Sequence, residues 1–411
     1  MKFALIGKKL GHSYSAIIHN AEGLDYSLKE IPENGLENFL TENEFDGFNV
    51  TIPYKKAVMR YLDEISDEAL KIGAVNTVKK VDGKLYGFNT DYYGLELSMK
   101  RGGITVGGKN VLVLGSGGAG ATAICYAENN GAKSVNVVSR NGEINYKNVY
   151  EKTETQIIIN TTPVGMFPDN YSSVIDSSRF LKLEAAVDFI YNPCDTPLIV
   201  SAKKRGLKYA TGLPILVGQA LEAENIWLDK TRGSGDFERV LSALYKKTLN
   251  LVLIGMPGSG KSKIGKLAAD RINRKFYDCD EVFCDNYKIS PADFISLYGE
   301  KEFREKETAT LKELMKNTGA VIATGGGAVL KEENVTAMKS NAAVIYIRRD
   351  LNKLALKGRP LSESDGVEKL YAERKEKYEA AADGTVYNDF KAERVAKEII
   401  KAYETACDKR R

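Results

Sequence analysis

Residues Gly255 to Ser262 read "GMPGSGKS", a match to G-x-x-x-x-G-K-[ST] set between the strand-like "NLVLIG" and the helix-like "KIGKLAADRI". In that setting the backbone of Gly255, Gly258, Ser259 and Gly260 wraps a β-phosphate, Lys261 reaches the β/γ-phosphates, and the Ser262 hydroxyl ligates magnesium. ATP is the expected phosphoryl donor. A second cradle of different design lies upstream: in "NVLVLGSGGAG", Gly115, Gly117 and Gly120 spell G-x-G-x-x-G between a strand and a helix start, with Gly118 inside the turn. Amides there can face a pyrophosphate with no side chain in the way. About 20 residues on, an NAD enzyme offers a carboxylate to the ribose; here the strand "KSVNVVSR" ends in Ser139 and Arg140. A cation at that place suits a 2′-phosphate, so the spacing predicts NADP(H).

Each cradle has a polar set near it. Upstream of the first stand Ser13 and Ser15 in "GHSYS", Asn49, Thr51 and Lys55 in "GFNVTIPYK", Asn76 in "GAVNTV" and Asp91 in "GFNTDYYG". Hydroxyls and amides at loop ends suit a polyhydroxylated ligand, and a lysine beside an aspartate can move the proton that accompanies hydride transfer. Downstream of the second cradle, "FYDCDEVF" puts Asp278 and Asp280 at alternate positions after a strand, facing one side: one carboxylate for magnesium, one for an acceptor hydroxyl. Arg304, Arg359 and Arg374, with the bare backbone of Gly325, Gly326 and Gly327, imply an anionic acceptor held by bidentate clamps.

The elements that must position these residues alternate. Apolar runs such as "KNVLVLG", "TQIIINT", "EAAVDFIY" and "AAVIYIRR" are separated by amphipathic stretches, which is the pattern of an α/β protein with parallel sheets covered by helices. With 411 residues the chain is too long for one core. A glycine-rich seam at "KRGGITVGGKN" and a joint at "DKTRGSGDFERV" divide it into residues 1–100 (with a return of 220–247), 101–219 and 248–411. A composition of 43% hydrophobic and 28% charged residues excludes a disordered or fibrous chain, and a net charge of +4 does not call for nucleic acid. The five cysteines are scattered and the two histidines lie far from them, which argues against both a disulfide scaffold and zinc. The apolar run of "MKFALIG" is too short for an export signal, and no window is long enough to span a membrane. A cytoplasmic enzyme without membrane or nucleic-acid partners is expected.

Residues 1 to about 247 resemble shikimate dehydrogenase: "HSYSAIIHN", "NVTIPYK", "GAVNT", "NTDYYG", "LGSGGAG", "INTTPVGM", "DFIYNPCDTPL" and "GQALEAENIWL" fall in that family's order. The resemblance implies a substrate domain plus a Rossmann NADP-binding domain. It implies that Ser13, Ser15, Thr51, Asn76, Asp91, Tyr191 and Gln219 line a shikimate site, with Lys55 and Asp91 as the catalytic pair and Ser139-Arg140 as the NADP-phosphate clamp. Ala16 departs from the family's proline, a matter of loop stiffness, and Ile215 from the methionine near the nicotinamide.

Residues from about 248 to 411 resemble shikimate kinase, a P-loop fold of the nucleoside-monophosphate-kinase type. The implication is that Asp280 contacts the reacting hydroxyl, Arg304 and Arg374 hold the substrate carboxylate, Gly325 to Gly327 pack on its ring, Arg359 sits on a closing lid, and Asp278 serves magnesium through water. Ser362 stands where the family prefers leucine, and Lys357 is a poor replacement for an arginine that stacks near adenine. Together the resemblances imply a bifunctional enzyme: reduction of 3-dehydroshikimate to shikimate by NADPH, then phosphorylation by ATP to shikimate 3-phosphate. The alternatives are an NAD-linked quinate/shikimate dehydrogenase fused to a kinase, which Arg140 opposes, and a non-catalytic shikimate sensor, which the presence of Lys55, Asp91, Lys261, Ser262 and Asp280 opposes.

Overall fold

The computed structural model describes residues 1–11, 13–42, 44–354 and 366–410. Arg359, Lys357 and Ser362 lie outside the described residues. The chain divides into two compact units, Met1–Leu244 and Tyr245–Arg411.

The first unit holds two sheets. One comprises β1 (Lys2–Gly7), β2 (Asp25–Glu30), β3 (Gly47–Val50), β4 (Glu64–Ile65), β5 (Thr77–Val81) and β6 (Lys84–Phe88), in spatial order β2-β1-β3-β5-β6-β4. β1 runs parallel to both neighbours, whereas β5 is antiparallel to β3 and β6. Period-two alternation sends Ala4 and Ile6 of β1 into a core with Phe48, Val50 and Val78. Phe3 and Leu5 face the other way, onto Tyr26, Ala223 and Trp227.

The second sheet comprises β7 (Asn110–Leu114), β8 (Ser134–Val138), β9 (Ile157–Asn160), β10 (Ala185–Asp188) and β11 (Lys208–Ala210), all parallel, in order β11-β10-β9-β7-β8. Its near-continuous apolar strands are explained by burial on both faces. Val111, Val113, Ile157 and Ile159 serve one core, and Leu112, Leu114 and Ile158 the other. The strand order reverses between β7 and β9, the place where open sheets of this kind bind ligands.

Two helices, Thr90–Arg101 and Gly212–Leu228, join the sheets. They approach so closely that a Cβ on Gly94 would lie 2.4 Å from the Ile215 carbonyl oxygen, and one on Gly218 2.9 Å from the Gly94 Cα. The border expected at 100/101 falls at the end of the first helix, and the one expected at 219/220 falls inside the second. Ile215, expected at the floor of the hydride site, is buried in the core shared with Leu95 and Met99.

The second unit carries one parallel sheet of β12 (Asn250–Ile254), β13 (Phe276–Asp278), β14 (Val321–Ala323), β15 (Ala342–Arg348) and β16 (Gly384–Tyr387), in order β13-β14-β12-β15-β16. β12 is entirely buried at its centre, so the loop that follows it starts from a fixed point. No helix among the described residues is long and apolar enough to cross a membrane.

Candidate active sites

In the first unit, Asn89 caps the helix Thr90–Arg101 by accepting from Tyr92 N at 3.3 Å, which places Asp91 in the first turn. Asp91 is held from two directions: its Oδ1 accepts from Asn76 Nδ2 at 2.9 Å and its Oδ2 from Lys55 Nζ at 2.5 Å. The Asn76 amide is itself fixed, its Oδ1 accepting from Thr90 N at 2.7 Å. Gln219 Oε1 accepts from Thr90 Oγ1 at 3.4 Å, which brings the second helix into the same group. The Lys55 and Asp91 side chains keep 16% and 11% exposure, enough for a ligand to reach them while water is largely excluded.

The dinucleotide turn meets this pair. Gly115 adopts φ +108°, open only to glycine, and a Cβ on Gly120 would lie 2.3 Å from the Gly115 carbonyl oxygen. Gly117 caps the helix Gly118–Asn129, and a Cβ on Gly118 would sit 3.1 Å from Lys55 Cδ. The cradle that would hold a pyrophosphate therefore touches the lysine that would handle the proton. Ser139 and Arg140 follow directly after β8, with Ser139 N donating to Ile144 O at 3.1 Å. Arg140 is exposed; burial raises the pKa of the neighbouring Tyr146, and the Arg140 charge opposes that rise.

Ser13, Ser15 and Tyr191 form a second group. Ser15 N donates to Ser13 Oγ at 3.2 Å, and the Tyr14 and Tyr191 rings lie 5.1 Å apart. Burial pushes the Tyr191 phenol up, opposed by hydrogen bonds with Ser13 and the Tyr14 backbone. Sequence reasoning missed the link between the groups. Tyr26, hydrogen-bonded to Ser15, donates from its hydroxyl to Asn49 Oδ1 at 2.7 Å; Asn49 Nδ2 donates to Thr77 Oγ1 at 3.0 Å and to the Asn76 carbonyl at 3.3 Å. Tyr26 lies on β2 with no motif around it, so no local signal marks it. Thr51 follows β3, half-buried, its methyl packed toward Gly7.

In the second unit the loop after β12 has Gly255, Gly258 and Gly260 at φ +146°, +78° and +95°. Side chains are excluded there on conformational grounds, and at Gly255 also by contact, since a Cβ would lie 2.4 Å from Ile347 O. Lys261 opens the helix Lys261–Arg271, its Nζ donating to the carbonyls of Gly255 at 2.9 Å and Met256 at 3.0 Å. Ser259 Oγ is buried with no hydrogen-bond partner among the described residues, and Ser262 is exposed on the first turn. A loop of open amides with an orphaned hydroxyl fits a polyphosphate.

Asp278 and Asp280, expected at alternate positions after a strand and facing one side, are instead a helix cap and a residue of that helix's first turn. Asp278 ends β13 and caps the helix Cys279–Tyr287, its Oδ1 accepting from Asp280 N at 2.9 Å; Asp280 lies in that helix's first turn, exposed. The helix starts early because an aspartate is a strong N-cap. Cys279 between them is buried, and burial together with the neighbouring carboxylates holds its thiol well above the usual range.

The glycine run joins the acceptor residues to the loop. A Cβ on Gly325 would lie 2.8 Å from Glu307 Oε1 and 3.3 Å from Asp280 Oδ1; on Gly326, 2.5 Å from Pro257 of the phosphate loop; on Gly327, 2.3 Å from Arg304 Nη1. Arg304 is buried and braced, donating to Glu307 Oε2 and Glu300 Oε1 at 2.8 Å each. Burial alone would lower its pKa, yet these carboxylates raise it. Arg374 is buried as well, with Nη1 3.4 Å from Gly326 O and Nε without a partner among the described residues. Tyr378, whose phenol is pushed up to about 12 by burial, donates to the same carbonyl. Glu300, Glu307 and Tyr378 were not singled out from sequence, although the three-residue spacing of Arg304 and Glu307 on one helix was a legible signal. No cluster of three metal-ligating side chains exists among the described residues. Magnesium held by one hydroxyl, one water-bridged carboxylate and phosphate oxygens requires none.

The family description "Shikimate dehydrogenase substrate binding domain" matches residues 5–78, and "Shikimate kinase" matches residues 257–404. The NADP(+) shikimate dehydrogenase of Clostridium perfringens strain 13 is 42% identical over 247 residues, covering 55% of this chain and 91% of that protein. Shikimate dehydrogenase 1 from Peptoclostridium difficile superposes with a TM-score of 0.55 at 34% identity, over 58% of this chain and 96% of its own. The Thermus thermophilus shikimate 5-dehydrogenase, solved in complex with NADP(H) and shikimate, gives 0.52 at 34% identity, over 58% and 98%.

Proposed function

Since this chain belongs to the shikimate dehydrogenase family and carries a shikimate kinase domain, it is a fused enzyme of the shikimate pathway, and we propose that it runs two consecutive steps. The first unit reduces 3-dehydroshikimate to shikimate with NADPH. The second transfers the γ-phosphoryl of ATP to the 3-hydroxyl of shikimate. The observation that carries the reading is the packing of Gly118, inside the dinucleotide turn, against Lys55, which is hydrogen-bonded to Asp91.

In the first site Gly115, Gly117, Gly118 and Gly120 would seat the pyrophosphate and Arg140 the 2′-phosphate; the nicotinamide supplies hydride when bound. Lys55 Nζ gives the balancing proton to the alkoxide oxygen that develops at the ketone, and Asp91 fixes the ammonium for that transfer. Ser13, Ser15, Tyr191, Asn76 and Gln219 orient the acid from the surrounding loops.

In the second site the loop amides and Lys261 would hold the nucleotide, with Ser262 and Asp278 as the magnesium residues; the metal and its nucleotide supply the phosphoryl group and neutralise its charge. Lys261 leaves the loop carbonyls to bind phosphate oxygens. Arg304 and Arg374 clamp the carboxylate, so that the ring lies on Gly325 to Gly327 and its hydroxyl faces Asp280, which orients it and takes its proton. Separate knock-outs test the division of labour. Lys55→Ala should lower NADPH-dependent reduction at least about 100-fold and leave ATP-dependent phosphorylation of shikimate within about twofold. Lys261→Ala should do the reverse. Loss of both activities from either substitution contradicts two separate sites.

A further inference from the structure

Asp188, the last residue of β10, is fully buried and touches neither the lysine pair nor the glycine turn, yet its carboxylate collects more hydrogen bonds than a packing role requires. Its Oδ2 accepts from Thr196 Oγ1 at 2.6 Å, its Oδ1 from Ile190 N at 2.9 Å, and both oxygens from Asn160 Nδ2 at 3.1 Å. In its ionised form, the form present at the pH 8 of the test below, the carboxylate only accepts, so it forces the nitrogen of the Asn160 amide toward itself. The amide oxygen is then turned the other way, where it accepts from Thr162 N at 3.1 Å and Thr162 Oγ1 at 2.8 Å. Next to Thr162, Thr161 donates to Leu114 O at 2.7 Å, and a Cβ on Gly115 would lie 2.7 Å from the Thr161 hydroxyl and 3.2 Å from the Thr162 methyl. The wall against which the dinucleotide turn folds is thus set by the direction of one amide. On the other side, the bond to Ile190 N fixes the start of the segment that leads to Tyr191, whose phenol meets Ser13.

We propose that Asp188 is a positioning residue of the dehydrogenase unit, setting through Asn160 the Thr161-Thr162 wall of the cofactor cradle and through Ile190 the loop that carries Tyr191. The inference rests on the dehydrogenase reading given above, and it concerns cofactor affinity before turnover. Asp188→Asn keeps one acceptor oxygen and puts an NH2 in place of the other, so the Asn160 amide nitrogen loses one of its two acceptors and the direction of that amide is held less firmly. A flipped Asn160 turns its oxygen away from Thr162.

The test is a fluorescence titration of the full chain with NADPH at pH 8, followed by steady-state kinetics. D188N should weaken NADPH binding about 10-fold and raise the KM for 3-dehydroshikimate by a smaller factor, with kcat changed less than either KM. The double variant D188N with N160D restores an acceptor facing both Thr162 and the amide donor, and should recover most of the lost affinity. Thr162→Val, which removes one donor and leaves Asp188 and Asn160 intact, should show a partial loss and covers the case in which D188N does not fold. Binding by D188N or Thr162→Val equal to wild type overturns the proposal, as does a folded double variant that binds no better than D188N. A wild-type chain that binds NADPH but reduces no 3-dehydroshikimate would instead defeat the dehydrogenase reading, while the titration still decides the role of Asp188.

Discussion

Adding one methyl group at Gly327 should cripple the kinase unit selectively. Gly327 has φ −99° and ψ 0°, a conformation alanine adopts freely, so any effect is steric. The new Cβ would lie 2.3, 2.4 and 2.5 Å from Nη1, Nη2 and Cζ of Arg304. Ordinary contact begins at about 3.5 Å, so the guanidinium must retreat by about 1 Å. It cannot do so freely, because Glu307 and Glu300 hold it at 2.8 Å each. A retreat of that size breaks one such bond or draws the fork away from the substrate carboxylate. A hydrogen bond to a charged group contributes about 1.5–3 kcal/mol, which corresponds to about 10- to 100-fold in affinity. Gly327→Ala should therefore raise the KM for shikimate by about that factor while leaving the KM for ATP within about twofold. Coupled kinase assays at saturating and varied shikimate measure this, and the unchanged KM for ATP on the same sample reports that the kinase unit is folded. An unchanged KM for shikimate in a folded protein would refute the assignment of Arg304 as the carboxylate clamp.

Other outcomes follow from single residues. Arg140→Ala should raise the KM for NADPH about 10- to 100-fold and leave that for NADH nearly unchanged, since only the former brings a 2′-phosphate; steady-state rates with both cofactors decide it. Burial pushes Asp188 up to about 7, and its hydrogen-bond partners, Thr196, the Ile190 amide and Asn160, are all neutral. Because that value lies above the ordinary carboxylate range, the folded state holds a proton that the unfolded chain has released. Its contribution to stability is complete below about pH 4 and is lost as pH rises through about 7, on the order of 4 kcal/mol at most. Thermal unfolding of the first unit should shift to lower temperature between about pH 5 and pH 8, and D188N should flatten that dependence.

Much of this organisation could be read from the chain. The two glycine turns gave their own context, because G-x-G-x-x-G and G-x-x-x-x-G-K-S encode backbone conformations, as the positive φ angles of Gly115, Gly255, Gly258 and Gly260 show. The meeting of Lys55 with Asp91 was legible only as a chemical pairing. Its geometry depends on Asn76 and Thr90, which come together through the antiparallel pairing of β5 with β6. Arg304 and Arg374 sit in charged stretches that read equally well as solvated helix faces, and burial is a property of the packed unit. The relation of Asp278 to Asp280 was misread because strand alternation was extended across a residue that caps a helix. Tyr26 carried no local mark, and Asp188, although it opens the run "DFIYNPCDTPL", was not singled out within it. Their roles arise from hydrogen bonds to Asn49 and Asn160 on separate strands, contacts that no spacing along the chain announces.

The central claim is that one acid metabolite is the product of the first unit and the substrate of the second. The direct measurement is a single incubation of the full chain with 3-dehydroshikimate, NADPH, ATP and magnesium, following NADPH oxidation and the phosphate ester together. The account predicts that shikimate 3-phosphate forms only when both NADPH and ATP are present, one per NADPH consumed once the reaction has run to completion. A phosphate ester appearing without NADPH, or NADPH oxidised to completion with shikimate left unphosphorylated in the presence of ATP and magnesium, would contradict it.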